Sequence, residues 1–253
     1  MQILKNDHSP SVLNKTEVFN FKRLLISSKI RENYSKLLYK AGIKSLIQFD
    51  IDTIKIPDSK LSKLAVEEAS DLCNTILLNH CYRTFFWSAG IAVSEELQYD
   101  NETLFVSSIL HDIGLSDKHN HICSQQCFAN YGGTHAYKFV AKHTLNPHTP
   151  SIIKTAIDMH LYPSVSKKKH GNEAYLLSKA AAMDVIGSHV FQVPSLYIRQ
   201  VHKTYNRNGF KDDIINTMEN LNHKENTRAD ILYKMGFPTM ASKNVLDSEF
   251  LNS

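Results

Sequence analysis

Nothing in this 253-residue sequence approaches the ~20 consecutive apolar residues that cross a bilayer, so neither a transmembrane helix nor a membrane partner is expected. The first seventeen residues are polar and lack the apolar core of a targeting signal. Dense positive charge is also missing: 29 Lys and Arg against 25 Asp and Glu leave only +4, and Lys167, Lys168 and Lys169 form a lone basic run that reads as a solvated loop. Phosphate binding needs a concentrated basic patch, so no nucleic-acid partner is expected. There is no CxxC among the four cysteines, Cys73, Cys81, Cys123 and Cys127, which are expected to be reduced thiols of a cytoplasmic protein. Gly132-Gly133 is no phosphate loop, because no strand precedes it and no Gly-Lys-Ser/Thr follows. No internal repeat, low-complexity tract or alternating strand pattern is present.

What remains is ordinary globular composition, 42% hydrophobic and 21% charged, in a chain of the length one core can serve. Apolar residues recur at helical spacing almost throughout. Residues 19–49 carry such a pattern, with Gly42 suited to a helix end. Pro57 and Asp58 mark a new start, followed by a long helix to Trp87. Further helices are expected at 101–113, at 124–140 with a break at Gly132-Gly133, and at 149–161, 172–186, 194–206, 212–223 and 227–235. The fold class is all-α. The organisation expected is a flexible N-terminus at 1–18, a helical extension at 19–56, a helical domain at 57–238 and a flexible tail at 239–253.

Four of these helices carry a ligand-type residue on a core-facing stripe: His80, His111, His160 and Asp184. A lone histidine on such a stripe is commonly a hydrogen-bonded core residue. A buried carboxylate, however, is costly until something cationic meets it, and Arg83 or a lysine would serve Asp184 as well as a metal would. Imidazole and carboxylate together suit a divalent ion such as zinc, iron, manganese or nickel. His111 and Asp112 are sequence neighbours about 100° apart on a straight helix, and they meet at one ion only if it lies beside the helix between them. It is the coincidence of all these residues that points to a buried metal site.

The local words around them, Asn79-His80-Cys81-Tyr82-Arg83-Thr84, Leu110-His111-Asp112-Ile113-Gly114-Leu115, Tyr131-Gly132-Gly133 and Ala182-Met183-Asp184-Val185-Ile186-Gly187, are similar to those of the HD-domain superfamily of metal-dependent hydrolases. Within it they resemble the branch that contains cyanamide hydratase. The resemblance covers roughly residues 56–237 and implies an HD-domain helical bundle with an N-terminal helical extension. It further implies a divalent metal, zinc by preference, held by His80, His111, Asp112 and Asp184, with Asp112 and His160 as the catalytic pair. Hydroxide generated at the metal would attack the nitrile carbon of a cyanamide-like substrate to give urea, and His160 would return a proton to nitrogen or bind a second ion. Two positions differ from that pattern: Cys81 stands where serine is common, and Leu161-Tyr162 where smaller polar residues are expected.

The alternative activity is phosphohydrolysis of a nucleotide or phosphate ester, which would favour more basic residues near the site than Arg83 and Lys167–Lys169 supply. A two-iron oxygenase would need further histidines between the doublet and Asp184, where His160 alone is well placed; a non-catalytic module would have little use for the tetrad. His119, His121, Cys123 and Cys127 form a second ligand-like group, too compressed for a paired zinc knuckle. His143 and His148 read as surface residues. The partner expected is a small molecule, with homo-oligomerisation left open.

Overall fold

The computed structural model describes residues 10–248, and among them it contains eleven α-helices, several short 3-10 turns and no strand. The all-α reading therefore holds. Helix α1 (Lys15–Lys40) begins four residues earlier than its apolar pattern suggested, because Asn14 and Glu17 form a reciprocal cap. The Asn14 side chain accepts from the Glu17 amide at 3.0 Å, and the Glu17 carboxylate accepts from the Asn14 amide at 2.8 Å. Leu13 and Phe21 then pack with Ile231 in a small satellite core that ties α1 to the body. The helix ends at Lys40, two residues before Gly42, whose φ of +70° suits glycine, and 41–50 is not helical. The flexible ends expected at 1–18 and 239–253 lie outside the described residues at 1–9 and 249–253.

The long helix expected from Asp58 to Trp87 is two helices, α2 (Lys60–Leu72) and α3 (Thr75–Ser94). Cys73 is extended, and Asn74 caps the new helix by accepting from the Leu77 amide at 2.8 Å. An apolar stripe that runs through a break of two residues conceals it. Asp58 is not the cap of α2 either; Ser59 is, accepting from the Ser62 amide. Helix α4 (Asn101–Leu110) follows, then α5 (Phe128–His143), α6 (Thr149–Met159) and α7 (Lys167–Ile186). Helix α5 passes unbroken through Gly132-Gly133, and a Cβ on Gly133 would lie 2.2 Å from Asp158 Oδ1, so the pair serves close approach of α6 rather than a break. The Lys167–Lys169 run forms the first turn of α7, which is interrupted at Gly171 with φ +88°.

Helices α8 (Ser195–Thr204), α9 (Phe210–Asn220), α10 (Arg228–Lys234) and α11 (Phe237–Ser242) complete the chain. The segment from 239 is ordered to residue 248: α11 packs on α7 and α9, and Asn244 donates to the Asp184 carbonyl at 2.9 Å. At the centre, α3 lies against α4 and α7, α6 lies against α5 and α7, and α2 covers α4. The core between them is filled by Phe85, Trp87, Phe105, Leu104, Ile109 and Tyr197, all fully buried. No helix is long and apolar enough to cross a membrane among the described residues.

Candidate metal centre

Helix α3 presents His80, Arg83, Thr84 and Trp87 at three-and-four spacing, so one buried face carries an imidazole, a guanidinium and an indole within two turns. Helix α4 stops at Leu110, and this solves the problem of the adjacent ligands. His111 is its C-cap and Asp112 has left the helix at φ −109°, ψ 14°, so the two side chains escape the angle a continuing helix would impose. Gly114 makes the tight turn possible, since a Cβ there would stand 2.6 Å from the Phe128 carbonyl oxygen. His160 is the C-cap of α6, and Asp184 sits on the inner face of α7.

The structure brings His80, His111 and Asp112 into one group, with candidate ligand atoms all within 4.8 Å of one another. His80 Nε2 and His111 Nε2 lie 3.2 and 3.3 Å from Asp112 Oδ2 and 3.2 Å from each other. His160 Nε2 approaches the other oxygen, Oδ1, at 3.4 Å.

Each imidazole is committed at its far nitrogen. His111 Nδ1 donates to the Ser108 carbonyl and His160 Nδ1 to the Ile157 carbonyl, each at 2.7 Å, while His80 Nδ1 donates to Asp184 Oδ2 at 2.7 Å. In the neutral rings all three Nε2 atoms are therefore lone pairs aimed at a carboxylate. Asp112 Oδ1 is buried and accepts no hydrogen bond among the described residues. Three lone pairs and an anion converge in a buried site, and this donor set is compatible with a divalent metal.

Protonation tells the same story. Burial opposes the charged form of His80, but Asp112 and Asp184 together outweigh it and hold its pKa above the ordinary histidine value. Burial lowers the pKa of His111, and Asp112 only partly offsets this. Burial raises that of Asp112, yet the surrounding imidazoles, His111 first, keep its carboxyl well below the usual range.

Asp184 is not brought to that group. Its Oδ1 accepts from Trp87 Nε1 at 2.7 Å and from Arg207 Nη1 at 2.8 Å; Oδ2 accepts from Arg83 Nη2 at 2.8 Å as well as from His80. Burial alone would raise its pKa, but Arg83, Arg207 and His80 hold it well below the carboxylate range. Phe210 completes the support, stacking on the His80 ring with both guanidiniums over its faces, 4.8 and 5.0 Å from the ring centre. Trp87, Arg207 and Phe210 were missed from sequence. Trp87 lies one turn beyond Arg83 on a stripe already noted, whereas Arg207 is in a loop and carries no local signal.

The other ligand-type residues form no comparable group among the described residues. His119 bonds Tyr131 and lies near His135, while Cys123 and Cys127 are buried free thiols; His143 is exposed at the end of α5. The cluster opens into a cavity of about 1620 Å³ lined near the histidines by Leu115, Phe128, Leu161 and Tyr162 and extending beneath α1.

No family model matches the chain. It is similar to two proteins of Saccharomyces cerevisiae, cyanamide hydratase DDI2 and cyanamide hydratase DDI3, with 34% identity over 79 residues in each case. The match takes in 30% of this chain and 35% of each yeast protein, so the chain spans about a third of the length of the curated relatives it matches.

Proposed function

We propose that the chain is a divalent-metal-dependent hydratase of small nitrile-type compounds, with cyanamide to urea as its reference reaction, and that residues 57–238 form an HD-type domain. The observation that carries this reading is the convergence of three imidazole Nε2 atoms on the buried carboxylate of Asp112. The similarity to the two yeast cyanamide hydratases supports the choice of reaction.

The ion, zinc by preference, would be held by His80, His111 and Asp112, and it supplies Lewis acidity that brings the pKa of water down towards neutrality. Asp112 Oδ1, which has no hydrogen-bond partner among the described residues and lies beside His160, would orient the water by accepting a hydrogen bond from it. His160 Nε2 stands 3.4 Å from that oxygen with its opposite nitrogen tied to Ile157, so it takes a proton at Nε2 and returns it to the substrate nitrogen. The water oxygen bonds to the nitrile carbon as the C–N multiple bond gives way, and a second proton shift yields the amide. Asp184 acts behind the site, fixing the tautomer of His80. The apolar wall of Leu115, Phe128 and Leu161 suits an uncharged substrate.

Urea formation from cyanamide by the metal-loaded protein tests this reading. Turnover that disappears in Asp112→Asn and falls in His160→Gln is expected; metal-loaded protein that forms no amide from cyanamide or any small nitrile would overturn it.

A further inference from the structure

Helix α1 leaves five of its apolar side chains exposed. Only Phe21 of its 26 residues is buried. Phe19, Ile26, Ile30, Tyr34 and Leu37 are 58 to 64% exposed and fall within an arc of about 80° at 100° per residue. The inner side carries Phe21, which is buried, and Leu25, Ser28, Glu32 and Tyr39, which are half-buried; the rim of the cavity extends from these to Ile26, Lys29, Ile30 and Lys36.

Charge is segregated in the same way. Helix α1 holds seven Lys and Arg against two Glu, an excess of five, whereas the whole chain has an excess of four, so everything outside α1 is one unit negative. All seven basic side chains are exposed. Lys22, Lys29 and Lys36 recur every seven residues on one flank of the helix, about 40 to 80° from the edge of the apolar arc, and Arg23 lies over the Phe19 ring. Both glutamates are occupied away from it, Glu17 in the cap with Asn14, and Glu32 accepting from the His189 amide at 2.9 Å and the Ser188 hydroxyl at 3.2 Å.

From this geometry we propose that the outer face of α1 docks on an anionic lipid surface, lying in the interface with Phe19, Ile26, Ile30 and Leu37 among the acyl chains and its lysines at the headgroups. An apolar stripe flanked by long basic side chains, on a helix about 39 Å in length, is what such a surface selects. A second copy of the chain is a poor occupant, because two such faces would oppose lysine to lysine with no carboxylate to pair them. A grooved acidic protein would need specific acceptors, whereas seven exposed basic side chains spread along one helix match a planar sheet of charge.

Flotation of the full chain with phosphatidylcholine vesicles, with and without phosphatidylserine, tests the proposal. Binding is expected only with phosphatidylserine and is reversed by high salt, a result that needs no variant. Combined Lys22→Glu, Lys29→Glu and Lys36→Glu substitution lowers binding by more than about tenfold. Ile26→Ser with Leu37→Ser also lowers it, and circular dichroism verifies that the helix persists. Binding indifferent to phosphatidylserine, binding unchanged by the lysine substitutions, or a dimer that forms through this face without vesicle binding would each overturn the proposal.

Discussion

His80 Nδ1 donates to Asp184 Oδ2 at 2.7 Å, and this contact places the aspartate across the imidazole ring from Asp112, which lies at Nε2. The two guanidiniums and the indole that also meet Asp184 make it the anionic centre of a buried network. Removing the charge leaves Arg83 without a carboxylate in the interior and Arg207 with Asp247 alone. Asp184→Asn is therefore expected to cost about 3–5 kcal/mol of stability and to weaken metal affinity about 10–100-fold through the loosened His80. Denaturant unfolding and metal titration check both; metal binding at wild-type affinity would show that His80 needs no such support.

Metal binding should depend on pH through His80. Its pKa is raised by Asp112 and Asp184, so the metal-free protein keeps a proton there above the ordinary histidine range. That proton stabilises the metal-free fold at low pH, and its contribution is lost as pH rises through the raised pKa. An ion must displace it, so affinity climbs with pH across that window and binding releases protons. Isothermal titration in buffers of different ionisation enthalpy measures the release.

His202 makes a separate prediction. Its two ring nitrogens have no hydrogen-bond partner among the described residues, and the ring stands edge-on to Trp87. Burial pushes its pKa down to about 4. The unfolded chain takes up this proton below about 6.5 while the folded chain does not, so stability falls between about pH 6.5 and 4 by on the order of 1–3 kcal/mol. His202→Phe should remove that slope and raise stability at neutral pH, read from melting curves across pH.

Gly114→Ala tests the turn that aims the doublet. The added Cβ would collide with the backbone oxygen of Phe128 at 2.6 Å, which cannot yield as a side chain would. A loss of about 1–3 kcal/mol, with weakened metal binding from a displaced Asp112, is expected.

The helices and their inward faces were legible because burial leaves a period in the sequence: His80, His111, His160 and Asp184 are all buried, the first and last within helices and the other two at helix ends. What spacing could not convey was chain direction at the ends of elements. The cap at Asn74, which splits one apparent helix into two, interrupts no apolar period. The end of α4 at Leu110, which lets neighbouring residues converge, depends on Gly114 packing against Phe128, a contact across the fold. The role of Asp184 was ambiguous for the same reason. A sequence shows a buried carboxylate but not that Arg207, from a distant loop, reaches it.

The most direct measurement is the metal content of purified wild-type protein beside His111→Ala, Asp112→Asn and Asp184→Asn. About one equivalent of a divalent metal in the wild type, lost from the first two variants, and retained in the third at saturating metal, is the result expected from a site built on His80, His111 and Asp112. Wild-type protein without metal after reconstitution, or His111→Ala that keeps its full equivalent, would contradict it.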